Sequence, residues 1–204
     1  MKSDKVKTKN KRCRALDAGF LHKSLYLRYI RKLEMRKSSA EMRTFMKVLI
    51  VSDTHRRNDN YIRVLEKVAP VDLVIHCGDI EGSEYLIAES AGCPVHMVVG
   101  NNDFFSDLPR EKEFEIGKYK VWLTHGHNYY VSMSNENIKH EARMREVDIV
   151  MYGHTHKPVV DIDCGVTAVN PGSLTFPRQE GKRPSFIIMD LDKNGDAHFT
   201  INFL

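Results

Sequence analysis

The sequence lacks the features that mark membrane, secreted and fibrous proteins. No uninterrupted apolar stretch approaches the roughly 20 residues that a membrane-spanning helix needs, so no transmembrane segment is predicted. The four cysteines form neither a CxxC pair nor an evenly spaced framework, which favours reduced thiols in a cytoplasmic protein. With 204 residues, 42% of them hydrophobic and 28% charged, the composition is typical of a globular domain that carries an appendage.

Positive charge is concentrated at one end of the chain. The first 45 residues contain 14 of the 31 Lys and Arg residues but only 4 of the 27 Asp and Glu residues, a local balance of +10. The other residues carry a balance of −6, so the sequence pI of about 8.8 reflects the N-terminal segment. We therefore predict a basic extension over residues 1–45, disordered or outside the native domain, and one domain over residues 46–204.

Three interpretations of the extension stay open. It could be an arm for nucleic acid or a membrane surface, a helix that docks a partner, or sequence upstream of a natural start at Met46, where a complete strand begins.

From Met46 onward, short apolar strands alternate with helical patterns. Parallel strands come first and hairpins follow, which is typical of a mixed α/β domain. The predicted strands are Val48–Val51, Leu73–Ile75, Val95–Val99, Glu113–Ile116, Tyr119–Thr124, Asp148–Tyr152, Val166–Val169, Ser185–Leu191 and His198–Phe203. The predicted helices are Asn60–Ala69, Glu84–Ala91 and Asn135–Val147.

Polar motifs follow five of the predicted strands, in the order D-x-H, G-D, G-N-x-D, H-G-H and G-H-T-H. Ligands bind at the carboxyl edge of open α/β sheets, so we expect these side chains to converge. Their imidazole, carboxylate and amide groups suit Mn²⁺, Fe, Co, Ni or Zn better than Ca²⁺. The motif residues are Asp53, His55, Asp79, Asn101, Asn102, Asp103, His125, His127, His154 and His156.

This ordered set resembles the calcineurin-like metallophosphoesterases, most closely the small single-domain phosphodiesterases of the YfcE type, over residues 46–204. The resemblance implies a four-layer α/β/β/α sandwich with mixed sheets. It also implies two divalent ions, with manganese expected because the family commonly uses it. The implied ligands are Asp53, His55 and His156 for one ion, Asn101, His125 and His154 for the second, and Asp79 as a bridge. Two cations about 3.5–4 Å apart can lower the pKa of a bridging water and orient a phosphate for in-line attack.

For three residues near these motifs, more than one role stays open. Asn102 stands where many relatives have a histidine that contacts the phosphate, which leaves the general acid unassigned. His127 is the nearby candidate for proton transfer, with a scaffold role as the alternative. Asn102 and Arg56 are candidates for holding phosphate oxygens, although Arg56 could equally be a solvated loop residue.

These observations predict a cytoplasmic, binuclear metal-dependent phosphodiesterase in which a metal-bridging hydroxide attacks a small phosphodiester. The alternative is a non-catalytic metal-binding scaffold of the same fold that acts through protein partners, as in the retromer coat. A third hypothesis is a nuclease to which the basic extension recruits nucleic acid, although the core domain gives nucleic acid no support. No membrane partner is expected, and a homodimer is the commonest soluble assembly.

Overall fold

The computed structural model describes residues 46–163 and 165–204, and the predicted extension over residues 1–45 lies outside this part. No helix within the described ranges is long and apolar enough to cross a membrane. The elements are β1 (Met46–Val51), α1 (Asp59–Val68), β2 (Leu73–His76), α2 (Glu84–Ala91), β3 (Val95–Met97), β4 (Glu111–Ile116), β5 (Tyr119–Thr124), a 3₁₀ helix (His127–Tyr129), α3 (Glu136–Met144), β6 (Ile149–Met151), β7 (Pro158–Asp163), β8 (Val166–Pro171), β9 (Ser185–Leu191) and β10 (Ala197–Phe203).

The strands form two five-stranded mixed sheets. The first has the order β10-β9-β1-β2-β3, with β1, β2 and β3 parallel and β9 antiparallel to both of its neighbours. The second has the order β4-β5-β6-β8-β7, with β5, β6 and β8 parallel and the two outer strands antiparallel. Each sheet therefore has parallel strands whose carboxyl ends can present loops to a common site.

Strand β1 shows how the layers are built, because both of its faces are buried. Val48 and Ile50 pack in a core between the two sheets, whereas Leu49 and Val51 pack in a second core with residues of α1 and α2. A third core joins Trp122 and other residues of the second sheet to α3. Fully burying an aliphatic side chain of this size contributes about 1.5–3 kcal/mol. The predicted α/β/β/α sandwich is thus confirmed.

The structure differs from the sequence prediction mainly at one edge. Strand β7 was not predicted, since its residues are half-buried or exposed and it pairs only with β8. It begins with Pro158, a residue that sheets tolerate at a strand start or an edge. Helix α3 ends at Met144, short of the predicted Val147, and β3 ends at Met97, short of the predicted Val99.

Candidate metal centre

The predicted ligands all lie in loops that follow strands. Loops after β1, β2 and β3 come from the first sheet, and loops after β5 and β6 come from the second. The parallel strands of each sheet direct these loops toward one another, as expected for a site at the carboxyl edge. The loops contribute Asp53 and His55, Asp79, Asn101, His125, and His154 with His156.

Four of these side chains form a compact set, which we call the inner group: Asp53, His55, Asp79 and His156. One ligand atom from each lies within 4.8 Å of the others. The Nε2 atom of His156 is 3.0 Å from Oδ1 of Asp53, and Nε2 of His55 is 3.8 Å from Oδ2 of Asp79. Three of the four residues are buried, so the group has a fixed position in the protein.

The other three predicted ligands, Asn101, His125 and His154, form what we call the outer group. Oδ1 of Asn101 is 3.1 Å from Nε2 of His125 and 2.9 Å from Nδ1 of His154. The same Nε2 of His125 is 3.4 Å from Oδ2 of Asp79. Asp79 therefore lies between the two groups, at the position that a bridging carboxylate requires.

Three imidazole rings are held in the tautomer that a metal ligand needs. The Nδ1 atom of His125 lies 2.7 Å from the carbonyl oxygen of Cys77, and Nδ1 of His156 lies 2.7 Å from that of Phe176. In His55, Nδ1 lies 2.7 Å from Oε1 of Glu81. A carbonyl or carboxylate oxygen can only accept, so each Nδ1 must donate. In the neutral ring, the lone pair is then on Nε2 and faces the other ligands.

The donor set of the inner group fits a divalent cation. The Nε2 atoms of His55 and His156 are 3.4 Å apart. When both rings are neutral and protonated on Nδ1, neither Nε2 has a proton to share with the other. Oδ1 of Asp53 is fully buried 3.0 Å from Nε2 of His156, and in the neutral tautomer that Nε2 has no proton to donate to it. Converging buried acceptors are costly without a positive charge between them. A cation bound by these atoms would satisfy all of them.

Both carboxylates of the inner group are held in the ionised form. Burial alone would raise the pKa of Asp53, but the imidazoles of His156 and His125 hold that pKa below its usual value. Burial likewise opposes ionisation of Asp79, and His125 and Asn102 together lower its pKa. Burial would also lower the pKa of His125, but the charges of Asp79 and Asp53 raise it to about 9. The centre therefore attracts positive charge.

Backbone strain is concentrated at the ligands. Left-handed conformations are disfavoured for side chains other than glycine by roughly 1–2 kcal/mol per residue. Non-glycine residues held in this region cluster at functional sites. Five of the seven predicted ligands have positive φ angles: Asp53 (54°), His55 (44°), Asp79 (57°), His154 (68°) and His156 (57°).

Hydrogen bonds from the end of β8 and from the loop after it hold these strained segments. The Oγ of Ser173 donates to the carbonyl oxygen of Asp53 at 2.8 Å, and Nδ2 of Asn170 donates to that of Gly153 at 2.7 Å. A Cβ atom on Gly153 would collide with Ser52 and Asp53, so the glycine before the H-T-H pair is required by close packing. The end of β8 and the loop after it therefore support the loops that carry the ligands.

Asp103 has a structural role that the G-N-x-D motif alone does not indicate. Its carboxylate accepts backbone N–H groups of Asp79, Ile80, Glu81 and Gly100 at 2.5–2.8 Å. These bonds join the loop after β2 to the loop after β3. Asp103 thus fixes the backbone around Asp79.

The remaining predicted site residues occupy distinct positions. Asn102 donates to both oxygens of Asp79, through its backbone N at 2.9 Å and its Nδ2 at 2.8 Å. The exposed Arg56 donates from Nε to the carbonyl oxygen of Glu81 at 2.9 Å. His127 has its ring centroid 5.5 Å from that of His125, and its Nδ1 is buried without a hydrogen-bond partner in the described part of the chain. Burial and nearby positive charge lower the pKa of His127.

Comparison with known proteins identifies the class to which this fold and site belong. The model of the calcineurin-like phosphoesterase superfamily domain matches residues 46–194, which is more than half of the chain. The chain therefore belongs to this family, and the predicted resemblance is confirmed.

Individual relatives are consistent with this assignment. The Bacillus subtilis (strain 168) protein named "Probable metallophosphoesterase YsnB" is 33% identical over 150 residues, covering 73% of this chain and 86% of that protein. A Methanocaldococcus jannaschii protein named "Phosphodiesterase MJ0936" is 31% identical over 145 residues, covering 62% of this chain and 83% of that protein.

Two solved structures share the fold. A Streptococcus pneumoniae TIGR4 protein described as a predicted phosphoesterase is 29% identical with a TM-score of 0.65, over 78% of this chain and 89% of that one. A Vps29 mutant from Entamoeba histolytica is 25% identical with a TM-score of 0.64, over 78% of this chain and 99% of that one. Together with the geometry, these findings define a metallophosphoesterase fold with a candidate site for a divalent metal.

Proposed function

We propose that the protein is a metal-dependent phosphodiesterase whose two cations are held by the inner and outer groups. The observation that carries the proposal is the orientation of three imidazoles by Cys77, Glu81 and Phe176, which directs their Nε2 lone pairs toward two ionised carboxylates. Manganese is our expected metal, because relatives of this family commonly use it and nitrogen with oxygen donors suits it.

The inner group would hold one cation through Asp53, His55 and His156, and the outer group would hold the other through Asn101, His125 and His154. Asp79 lies between the groups and would contribute to both. When bound, such cations neutralise charge on the phosphate and lower the pKa of water. Asn102 keeps Asp79 oriented through two hydrogen bonds.

The proposed reaction is the hydrolysis of a small phosphodiester. A water oxygen forms a bond to phosphorus, the bond from phosphorus to the leaving oxygen breaks, and the proton released from water ends on the leaving alcohol or in solvent. The products are a phosphomonoester and an alcohol. His127 is the nearby group that could pass this proton, while Arg56 would need to leave the carbonyl of Glu81 before it could hold a phosphate oxygen.

The test is hydrolysis of bis-p-nitrophenyl phosphate and p-nitrophenyl phosphate after chelation and re-addition of Mn²⁺. We expect metal-restored cleavage that favours the diester. Asp79→Asn should lower turnover by ~10³-fold or more, because it weakens both cation sites, and losing even a partner of a metal ligand costs about 10- to 100-fold. Asp59→Asn, on the exposed start of α1, is the matched control and should behave as the wild type. Full activity of Asp79→Asn would overturn the proposal.

The second candidate is the scaffold interpretation, favoured by the similarity to Vps29. A scaffold could keep its ligands and still bind metal, so metal binding does not separate the two functions. Turnover does. A folded, metal-loaded protein that cleaves neither ester would favour the scaffold and direct attention to protein partners.

A further inference from the structure

A cleft of about 560 Å³ opens beside the inner group, lined by Thr175, Phe176, Pro177, Arg178 and Lys182. Two residues of its lining form hydrogen bonds with the predicted ligand His156. The carbonyl oxygen of Phe176 accepts from Nδ1 of His156 at 2.7 Å, and the backbone N of Arg178 donates to the carbonyl oxygen of His156 at 2.9 Å. The Phe176 ring centroid is 5.2 Å from that of His55. The loop that lines the cleft is therefore in direct contact with two predicted ligands of the candidate metal centre.

The lining of this cleft is cationic. It contains one arginine and one lysine and no carboxylate. Both Arg178 and Lys182 are exposed, and within residues 46–163 and 165–204 neither side chain takes part in an ion pair or a hydrogen bond. Arg57 adds a third cation, since its guanidinium lies 5.1 Å from the centroid of the Phe176 ring. Cations that no protein group neutralises attract an anionic ligand.

The loop that carries the two cations is held in place. Thr175 Oγ1 donates to the carbonyl oxygen of Thr54 at 2.8 Å, which ties the loop to the segment between two predicted ligands. The backbone N of Lys182 donates to the carbonyl oxygen of Gln179 at 3.1 Å, and the side-chain amide of Gln179 donates to the carbonyl of Arg183. A fixed loop reduces the entropy lost when a ligand binds.

Lys182 also has a φ angle of 43°, in the region that favours glycine. A lysine in this conformation is disfavoured relative to glycine. Strained non-glycine residues are enriched at functional positions. The conformation of Lys182 therefore supports a functional role for its charged side chain.

We propose that this cleft binds a second anionic group, a phosphate or a carboxylate, on the substrate cleaved at the metal centre. Arg178 and Lys182 are then specificity-determining residues that select phosphodiesters bearing an additional negative charge. Guanidinium and ammonium groups are suited to this, since charge-assisted hydrogen bonds to phosphate are roughly twice as strong as neutral ones. The inference rests on the proposed phosphodiesterase function and names the substrate class.

The test uses two esters that differ in one group. Both are p-nitrophenyl esters of thymidine 5′-phosphate, and one of them carries an additional 3′-phosphate. We expect the wild-type chain, loaded with Mn²⁺, to hydrolyse the ester with the 3′-phosphate with a kcat/KM about tenfold higher, as two exposed cations on one phosphate allow. In the double variant Arg178→Gln/Lys182→Gln this ratio should fall close to one.

A matched control removes a positive charge elsewhere. Lys193→Gln lies in the exposed turn between β9 and β10, and it should keep the wild-type ratio. A ratio near one in the wild type, or a tenfold ratio that survives in the double variant, overturns the assignment of the cleft. Failure to hydrolyse either ester overturns the phosphodiesterase proposal instead, so the two failures are distinct.

A binding measurement makes the cleft testable without turnover. The full chain, treated with chelator, is titrated with thymidine 3′,5′-bisphosphate and with thymidine 5′-monophosphate by calorimetry. We expect tighter binding of the bisphosphate and loss of that preference in Arg178→Gln/Lys182→Gln but not in Lys193→Gln. Equal binding of the two nucleotides by the wild type, or a preference retained by the double variant, contradicts the proposal.

Discussion

The inner and outer groups differ in how completely the protein prepares them. In the inner group, Asp53, Asp79 and His156 are buried, and both imidazoles have an Nδ1 acceptor: Glu81 for His55 and Phe176 for His156. In the outer group only His125 is buried and held in this way. Asn101 is exposed and His154 is half-buried. The two halves of one candidate centre therefore have different degrees of preorganisation.

This difference predicts unequal roles for the two cations. A ligand set whose atoms are already in place loses little conformational entropy on binding, whereas exposed side chains must be ordered at that moment. The inner group should therefore bind first and hold its cation through dilution. The outer group should fill later and be the position at which a metal is readily lost.

The largest expected effect separates the two histidines of the G-H-T-H motif. His156→Gln removes a buried ligand, and kcat/KM for bis-p-nitrophenyl phosphate should fall by ~10³-fold, more than the loss of a ligand's partner would cost. His154→Gln removes a half-buried ligand, and we expect a loss of about 10- to 100-fold that excess Mn²⁺ partly restores.

The exposed His140 on α3 supplies the matched control for both substitutions, and His140→Gln should retain wild-type activity. Equal losses in the two site variants, or rescue of His156→Gln by metal but not of His154→Gln, would contradict the difference between the groups.

The next effect concerns how many Mn²⁺ ions bind to the chain and in what order. Calorimetric titration of the chelated chain with Mn²⁺ should show two steps, with the first dissociation constant at least about tenfold lower than the second, a difference of ~1.4 kcal/mol. Dialysis against a weak chelator should leave close to one metal per chain before the second is removed. A single step with two equivalent ions would show that preorganisation does not distinguish the groups.

The smallest effect tests the partner of His55. Glu81→Gln keeps an oxygen that can accept from Nδ1 but removes the charge that makes the imidazole a better donor to metal. Affinity for the first cation should weaken by about 10-fold, since such partners tune their ligands by 10- to 100-fold. Glu115→Gln, at an exposed position of β4, is the control. Unchanged affinity in Glu81→Gln would mean that Glu81 only positions the ring.

The parts of the fold that periodicity could predict are those in which burial is strong. Strand β1 has an unbroken apolar run and β5 ends in one, so both were placed within two residues of their observed bounds. Strand β7 has only a short apolar pattern, since Asp161 and Asp163 alternate with Val160 and Ile162, and its residues lie half-buried or exposed at the sheet edge. Edge strands of this kind are defined by pairing, in this case with β8, which a single sequence does not reveal.

The candidate site was predictable where side-chain identity carries the chemistry. His76 illustrates the limit of residue type alone: it is buried beside the centre, but its Nδ1 accepts from the N–H of Gly78 and burial lowers its pKa to about 4. No motif surrounds His76, whereas His125 lies in the H-G-H motif. The supporting carbonyls of Cys77 and Phe176 could not be predicted, because a backbone oxygen has no sequence signature. Glu81 has one weak signal, its place two residues after Asp79.

The left-handed backbone at five predicted ligands has a consequence for how this domain would respond to selection. Glycine at any of these positions would relax the local sterics, so a screen that rewards thermal stability alone should enrich glycine at residues such as Asp53 or His154 and discard the ligands. Selection for stability and selection for metal binding would then favour different residues at the same positions. The aspartate and histidine side chains at these positions are the ones that the candidate metal centre needs, although the backbone there favours glycine.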